Sequence, residues 1–392
     1  MLYNELFRAV EEQDTTMIAR LIRQGISPDT IDAHGEPVLL IAARLAKPDS
    51  VSALLKSGAD PRARGPLGQC LLHHLASYPA NLKLVGRALD EWELDIDAPD
   101  SQGRTPLMSA VLRGCVSGAR LLIDLGANPL KRDRDGSTVV YHFVAGIYGF
   151  KPGEPHGEQL ALLRDLLDLG IEPDAAGPRG YTALSIAGER GLIDVVEVLL
   201  EAGASVKMAP PMINPVTAAA LAGQGEIAEL LVRRGGSIDW FAAVALGRTD
   251  LVGEALAAEP ELKDAREPRS GSCSLAIAIR HGHEDVAARL LEAGADPNGY
   301  AYQGRCLHEA VASLPSPELV KRLIRAGANI NAGDGDWNTP LNFAARDDRM
   351  DIARLLLEEG ADPNIATERG STPLVFATSD DMRELIRAYG GH

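Results

Sequence analysis

A glycine closes an apolar, helix-patterned run at residues 25, 58, 126, 170, 203, 235, 294, 327 and 360. The gaps between them are 33, 68, 44, 33, 32, 59, 33 and 33 residues. A period near 33, held over most of a 392-residue chain, argues against one large core built from dissimilar elements. It calls for a stack of like units, each too small to bury its own apolar face and each covered by its neighbours. The gap of 68 spans two units, with a degenerate one at 69–103. The gap of 44 is one unit plus eleven residues, and 59 is two units less about seven.

Three stretches show the unit: RTPLMSAVLRGCVSGARLLIDLGANP (104–129), SCSLAIAIRHGHEDVAARLLEAGADP (272–297) and NTPLNFAARDDRMDIARLLLEEGADP (338–363). Each position has a physical reason. Thr105 caps a helix with its hydroxyl, and Pro106 follows where a missing N–H costs nothing. Leu107 and Ala110 face inward at helical spacing. Ile352, Leu355 and Leu356 form the apolar stripe of a second helix. Gly360 ends that helix in the left-handed conformation, and ADPNIATERG supplies turn residues before the next unit.

The period and the T-P-L-x-x-A … L-L-x-x-G-A-D/N-P pattern resemble the ankyrin repeat, in about twelve copies over essentially the whole chain. The resemblance implies an all-α fold, an ankyrin-repeat α-solenoid of stacked antiparallel helix pairs with β-hairpin fingers. It also implies a binding surface made by the finger tips and the exposed side of each first helix. The first unit, residues 2–35, lacks T-P-L and carries EEQD; the last ends soon after its second helix. Both are expected to be polar caps, leaving no further domain.

Two departures from the pattern stand out. At 236–250, GSIDWFAAVALGRTD lacks the finger before Trp240, so a helix is expected directly after Asp239. A seam is expected near residue 237. It would divide a first array, 1–238 (N-terminal cap and about seven repeats), from a second, 239–392 (about five repeats and a C-terminal cap). The second departure is the twelve-residue stretch GIYGFKPGEPHG, 146–157, which holds the eleven extra residues and is placed between the two helices of its repeat. Its glycines and prolines predict an exposed loop, yet it carries Tyr148 and Phe150.

Composition narrows the function. With 39 basic and 55 acidic residues the net charge is −16, which repels nucleic acid and anionic membranes and favours a basic protein partner. No run of eighteen apolar residues and no signal-peptide pattern occurs, so a cytoplasmic protein, monomeric when free, is expected. Arginine dominates the basic residues at 31 against eight lysines, which points to a GC-rich, bacterial genome. No cofactor motif is found. His281, His283, Glu284 and Asp285 in RHGHEDV could be read as metal ligands. The glycine–histidine pair falls in the inter-helix turn, however, where the resemblance gives the histidine a structural role. His73 and His308 fall in the histidine slot of T-P-L-H. Cys70, Cys273 and Cys306 lie in or beside the T-P slot, and Cys115 in the turn slot. No two cysteines have metal or redox spacing, so buried structural thiols are expected. Cys306 with His308 is the one pairing that could form a nucleophile. Glu197, Glu201, Glu358 and Glu359 read as a solvated outer face.

Only 4% of the residues are aromatic, yet Tyr300 and Tyr302 sit together in a finger. One repeat later, Trp337 takes a position that is glycine in the pattern, with Arg305 nearby. Binding hot spots favour Trp, Tyr and Arg. Tyr300, Tyr302, Arg305 and Trp337 are therefore the expected partner-binding residues, with Tyr148 and Phe150 as a second candidate group. The expected function is a non-enzymatic scaffold that regulates or inhibits a protein partner, such as a toxin-neutralising protein in a bacterium. A bacterial effector acting on a host protein is an alternative. An enzyme using the 146–157 loop or His281 and His283 is a third reading.

Overall fold

A computed structural model describes residues 2–146, 157–207, 212–302, 304–313 and 316–392. Its helices fall into twelve consecutive pairs, from Leu2–Glu12 with Thr15–Arg23 to Pro373–Phe376 with Asp380–Ala388. None of the described helices is long and apolar enough to cross a membrane.

The helices start where the sequence pattern places them. Thr105 Oγ1 accepts from the Met108 N–H at 3.3 Å, and Thr339 Oγ1 accepts from Asn342 N–H at 3.4 Å. Proline follows both threonines at the first helical position. Leu107, Ala110, Ile352, Leu355 and Leu356 are all buried. The degenerate repeat has a reduced first helix, Leu71–Leu75, a 3₁₀ turn at Pro79–Asn81, and a second helix, Lys83–Asp90. The expected insertion separates Val139–Gly146 from Gly157–Asp168. Its residues 147–156, with Tyr148 and Phe150, lie outside the described residues.

The chain divides into two compact units, Met1–Pro215 and Val216–His392. In the first, the inner helices Val38–Arg44, Leu71–Leu75, Pro106–Leu112 and Val139–Gly146 pack in succession. The outer helices Val116–Asp124, Gly157–Asp168 and Ile193–Glu201 form a second layer. In the second unit, Trp240–Ala245, Ser274–Arg280, Cys306–Ser313, Pro340–Arg346 and Pro373–Phe376 make the inner layer. The outer layer there runs from Thr249–Ala258 to Asp380–Ala388. Each core lies between its two layers, and inner helices such as Val38–Arg44 and Ser274–Arg280 are buried along nearly their whole length.

The boundary expected at 238/239 lies inside the second of these units. The missing finger is real: helix Trp240–Ala245 starts directly after Asp239, whose Oδ1 accepts from Ala242 N–H at 2.9 Å. The other oxygen of Asp239 accepts from Thr217 Oγ1 in the preceding pair. That aspartate therefore both caps its helix and ties it back across the place where the finger is absent.

The fingers differ from the expectation of a hairpin in every repeat. Among the described residues one two-stranded ladder forms, β1 (Tyr300–Ala301) with β2 (Gly304–Arg305). Two others reach an isolated bridge, Ile31 with Pro37 and Arg266 with Cys273. Most of the other described fingers close with a single backbone bond across a five-residue turn, as in Asp100 N–H to Arg104 O at 2.9 Å.

Candidate functional site

The finger turns are built on aspartate. Asp32, Asp100, Asp133 and Asp334 each use Oδ1 to accept two backbone N–H groups from two and four residues on, at 2.8 to 3.0 Å. Three residues after the aspartate the chain must take positive φ. Gly35, Gly103 and Gly136 do so at 81°, 81° and 84°. In the fourth turn that place belongs to Trp337, held at φ 63°. A bulky side chain in the left-handed region is strained, and such strain persists only where surrounding structure enforces it. Here the enforcement is the turn itself: Trp337 N–H donates to Asp334 O at 3.2 Å, and Asn338 Nδ2 donates to both carboxylate oxygens of Asp334. The strain gains little burial, since Trp337 is 64% exposed.

The neighbouring finger presents two more rings. Tyr300 pairs with Arg305 across the β1–β2 ladder, and Tyr300 O accepts from the Cys273 N–H of the previous finger at 2.9 Å. Tyr300 is 44% exposed and Tyr302 is 74% exposed. Arg305 is exposed and donates to Asn298 O at 3.3 Å. No ring-to-ring contact joins Tyr300, Tyr302 and Trp337 among the described residues. They are three separate exposed rings on adjacent fingers.

The structure adds residues that sequence reasoning missed. The Arg280 guanidinium stands 5.5 Å from the Tyr302 ring centroid, and its Nε donates to Glu309 Oε1 at 2.8 Å. Glu309 is almost wholly buried. A step further, Arg346 lies 4.8 Å from the Phe343 ring and pairs with Asp347. These arginines end inner helices, and Arg280 joins its helix to the finger that carries Tyr302. One signal was available: Arg280 and Arg346 stand two repeats apart, 66 residues, in the same helical slot.

The chemical candidates take structural places. His283 Nε2 lies 2.9 Å from Ala245 O in the preceding repeat, and its ring stacks 6.5 Å from that of His281. No group of three or more potential metal ligands gathers among the described residues. His73 and His308 bridge to the next finger, with Nε2 at 2.9 Å from Arg104 O and from Asn338 O respectively. Each carbonyl makes Nε2 the donor and leaves Nδ1 as acceptor. Accordingly His308 Nδ1 accepts from Arg305 N–H, so the Cys306–His308 pairing is not made. His73 Nδ1 instead lies 3.1 Å from the Cys70 thiol, and burial pushes that thiol's pKa up, away from a nucleophile's range.

All four cysteines are free and buried. Two of them meet: Cys273 Sγ lies 3.5 Å from Cys306 Sγ. They are 33 residues apart, one repeat, and the stack places them on top of one another. The hydrogen bond between them holds the Cys273 pKa below a free thiol's, while that same bond, and then burial, hold the Cys306 pKa well above it. Glu197, Glu201, Glu358 and Glu359 are exposed, as a solvated face requires.

Comparison with known proteins agrees with this geometry. Models described as ankyrin repeats match residues 39–133 and 316–377, and a single ankyrin repeat matches 179–209 and 271–300. The chain belongs to the ankyrin repeat family. As such it is a protein–protein interaction module built as an α-solenoid. It is similar to the E3 ubiquitin-protein ligase KEG of Arabidopsis thaliana, at 28% identity over 78% of this chain and 17% of that protein. It is also similar to ankyrin repeat and SOCS box protein 16 of Mus musculus, at 32% identity over 50% of this chain and 42% of that protein. The chain thus spans less than half the length of either relative. A crystal structure of an ankyrin repeat domain from Acinetobacter baumannii AYE is 26% identical and covers 51% of this chain and 98% of its own, with a TM-score of 0.41.

Proposed function

We propose that this chain is a non-enzymatic scaffold that grips a partner protein with the fingers and inner helices of its second unit and thereby regulates or inhibits it. The observation that carries the reading is Trp337. Its turn takes, under strain, the positive φ that three sibling turns reach with glycine at little cost, and the ring so placed stays in solvent. An exposed ring kept at a conformational cost is better explained by binding than by packing. Tyr300, Tyr302 and Arg305 on the adjacent finger supply the other residue types favoured at hot spots.

The net charge of −16 favours a basic partner, whose association is then steered electrostatically. Blocking the active site of a cognate toxin in a bacterium is a task that suits such a protein. The ligase activity named for one relative is not carried over, since this chain spans only 17% of that protein. The test is capture from a lysate of the source organism, followed by titration of the purified partner at rising ionic strength. A steep fall in affinity with salt is expected. A charge-neutral partner bound equally well in high salt would contradict the charge argument.

A further inference from the structure

The first unit carries a small cleft between the inner helices Leu71–Leu75 and Pro106–Leu112, with a volume of about 80 Å³. That is room for the head of one side chain, far below the size of a small-molecule pocket. His74, Ser109 and Arg113 line it, together with Gln69 and Arg104. No carboxylate does.

His74 is the unusual member. It is more than nine-tenths buried, and its Nε2 is shut from solvent without a hydrogen-bond partner. A buried polar atom left unpaired costs free energy unless something outside the chain satisfies it. The charges around it are one-sided. Arg104 is neutralised by Asp100 at 2.7 Å, and Arg44, whose charge also reaches His74, by Glu36 at 3.0 Å. Arg113 rests against the Tyr78 ring at 5.8 Å and has no carboxylate partner among the described residues. Burial first, then the charges of His73, Arg44 and Arg113, hold the His74 pKa down to about 3, so its ring is neutral at pH 7. The cleft therefore offers donors from Arg113, Ser109 and Gln69 and one unreserved imidazole nitrogen, and it lacks an acceptor with negative charge.

We infer that this cleft is a subsite for a carboxylate, taking an acidic side chain of the bound partner between Arg113 and His74. The inference rests on the scaffold reading above and extends it to the inner-helix face of the first unit. It also refines the charge argument. The chain's overall negative charge governs long-range attraction, whereas this cleft selects a single acidic residue set in the partner's basic surface.

Acetate serves as the probe. The full chain, labelled at histidine ring carbons, is titrated at pH 7 with sodium acetate against sodium chloride at equal ionic strength. The His74 resonance is assigned by its absence in His74→Gln. A saturable shift of that resonance with acetate, and none with chloride, is the expected result. Arg113→Gln should weaken the response about tenfold, the scale of one lost charge-assisted hydrogen bond. Ser109→Asp places a carboxylate on the cleft wall, so it should abolish the acetate response and raise the His74 pKa while the fold is kept. An absent shift, an equal shift with chloride, a response to inorganic phosphate but not to acetate, or full binding by Arg113→Gln would each overturn the assignment. No partner is present in this titration, so its failure leaves the scaffold reading standing. Conversely, failed capture of a partner leaves the acetate result intact.

Discussion

Aspartates 32, 100, 133 and 334 perform one task in four turns, and the residue three places on decides what each turn is for. Glycine makes the turn at little cost; tryptophan makes it under strain and projects a ring. Replacing Trp337 with glycine should therefore stabilise the protein by about 1 kcal/mol, the net of relieved strain and added chain entropy. Urea unfolding would read this; destabilisation would show that the ring packs usefully and is not held for a partner. The buried histidines make a second prediction. The unfolded chain takes up a proton at His74 below its ordinary pKa of 6.5, while the folded chain resists until about 3. Across that window the unfolded state holds more protons, so stability rises with pH and is lost as pH falls. His74→Gln should flatten the acid limb of a stability–pH curve between those values. An unchanged limb would place the acid sensitivity elsewhere, for example at His73, His142 or His308, whose pKa values are lowered by the same burial.

At the scale of the element, the period made the helix pairs legible, and the caps followed from threonine and proline at fixed places. Trp240 is legible as a helix start because Asp239 is a good cap with no finger before it. What was not legible depended on stacking. Cys273 and Cys306 look remote in sequence and touch in space, because 33 residues is one rise of the stack. The Tyr302–Arg280–Glu309 chain joins two repeats through side chains whose partners no local pattern names. The cleft at His74 needed a degenerate repeat to face variable positions of a regular one, and at such positions a template stops informing. The hairpin expected in every repeat becomes a ladder in one finger among the described residues, and most others close with one backbone bond. Asp239 offers the element-scale test. Asp239→Ala removes a helix cap and the Thr217 bond together, and should cost about 1–2 kcal/mol. A loss near zero in thermal unfolding would mean the missing finger is bridged by other contacts.

At the scale of the molecule, each compact unit has six helix pairs and a core of its own. In a stack of repeats, stability is nearly a sum of unit and nearest-neighbour terms, so a part can fold without the whole. A fragment of residues 212–392 should then keep a helical spectrum and a cooperative thermal transition. An unfolded fragment would make the first unit a requirement for the second. Such a fragment also contains the proposed gripping surface, Tyr300, Tyr302, Arg305 and Trp337, with Arg280 against Tyr302. The most direct measurement of that surface is calorimetric titration of the captured partner against the wild-type chain and a Tyr300→Ala, Tyr302→Ala, Trp337→Ala variant of matched thermal stability. Loss of three exposed rings from a hot spot should weaken binding at least a hundredfold, about 3 kcal/mol. An affinity equal to wild type would contradict the account and leave the three rings without a role in recognition.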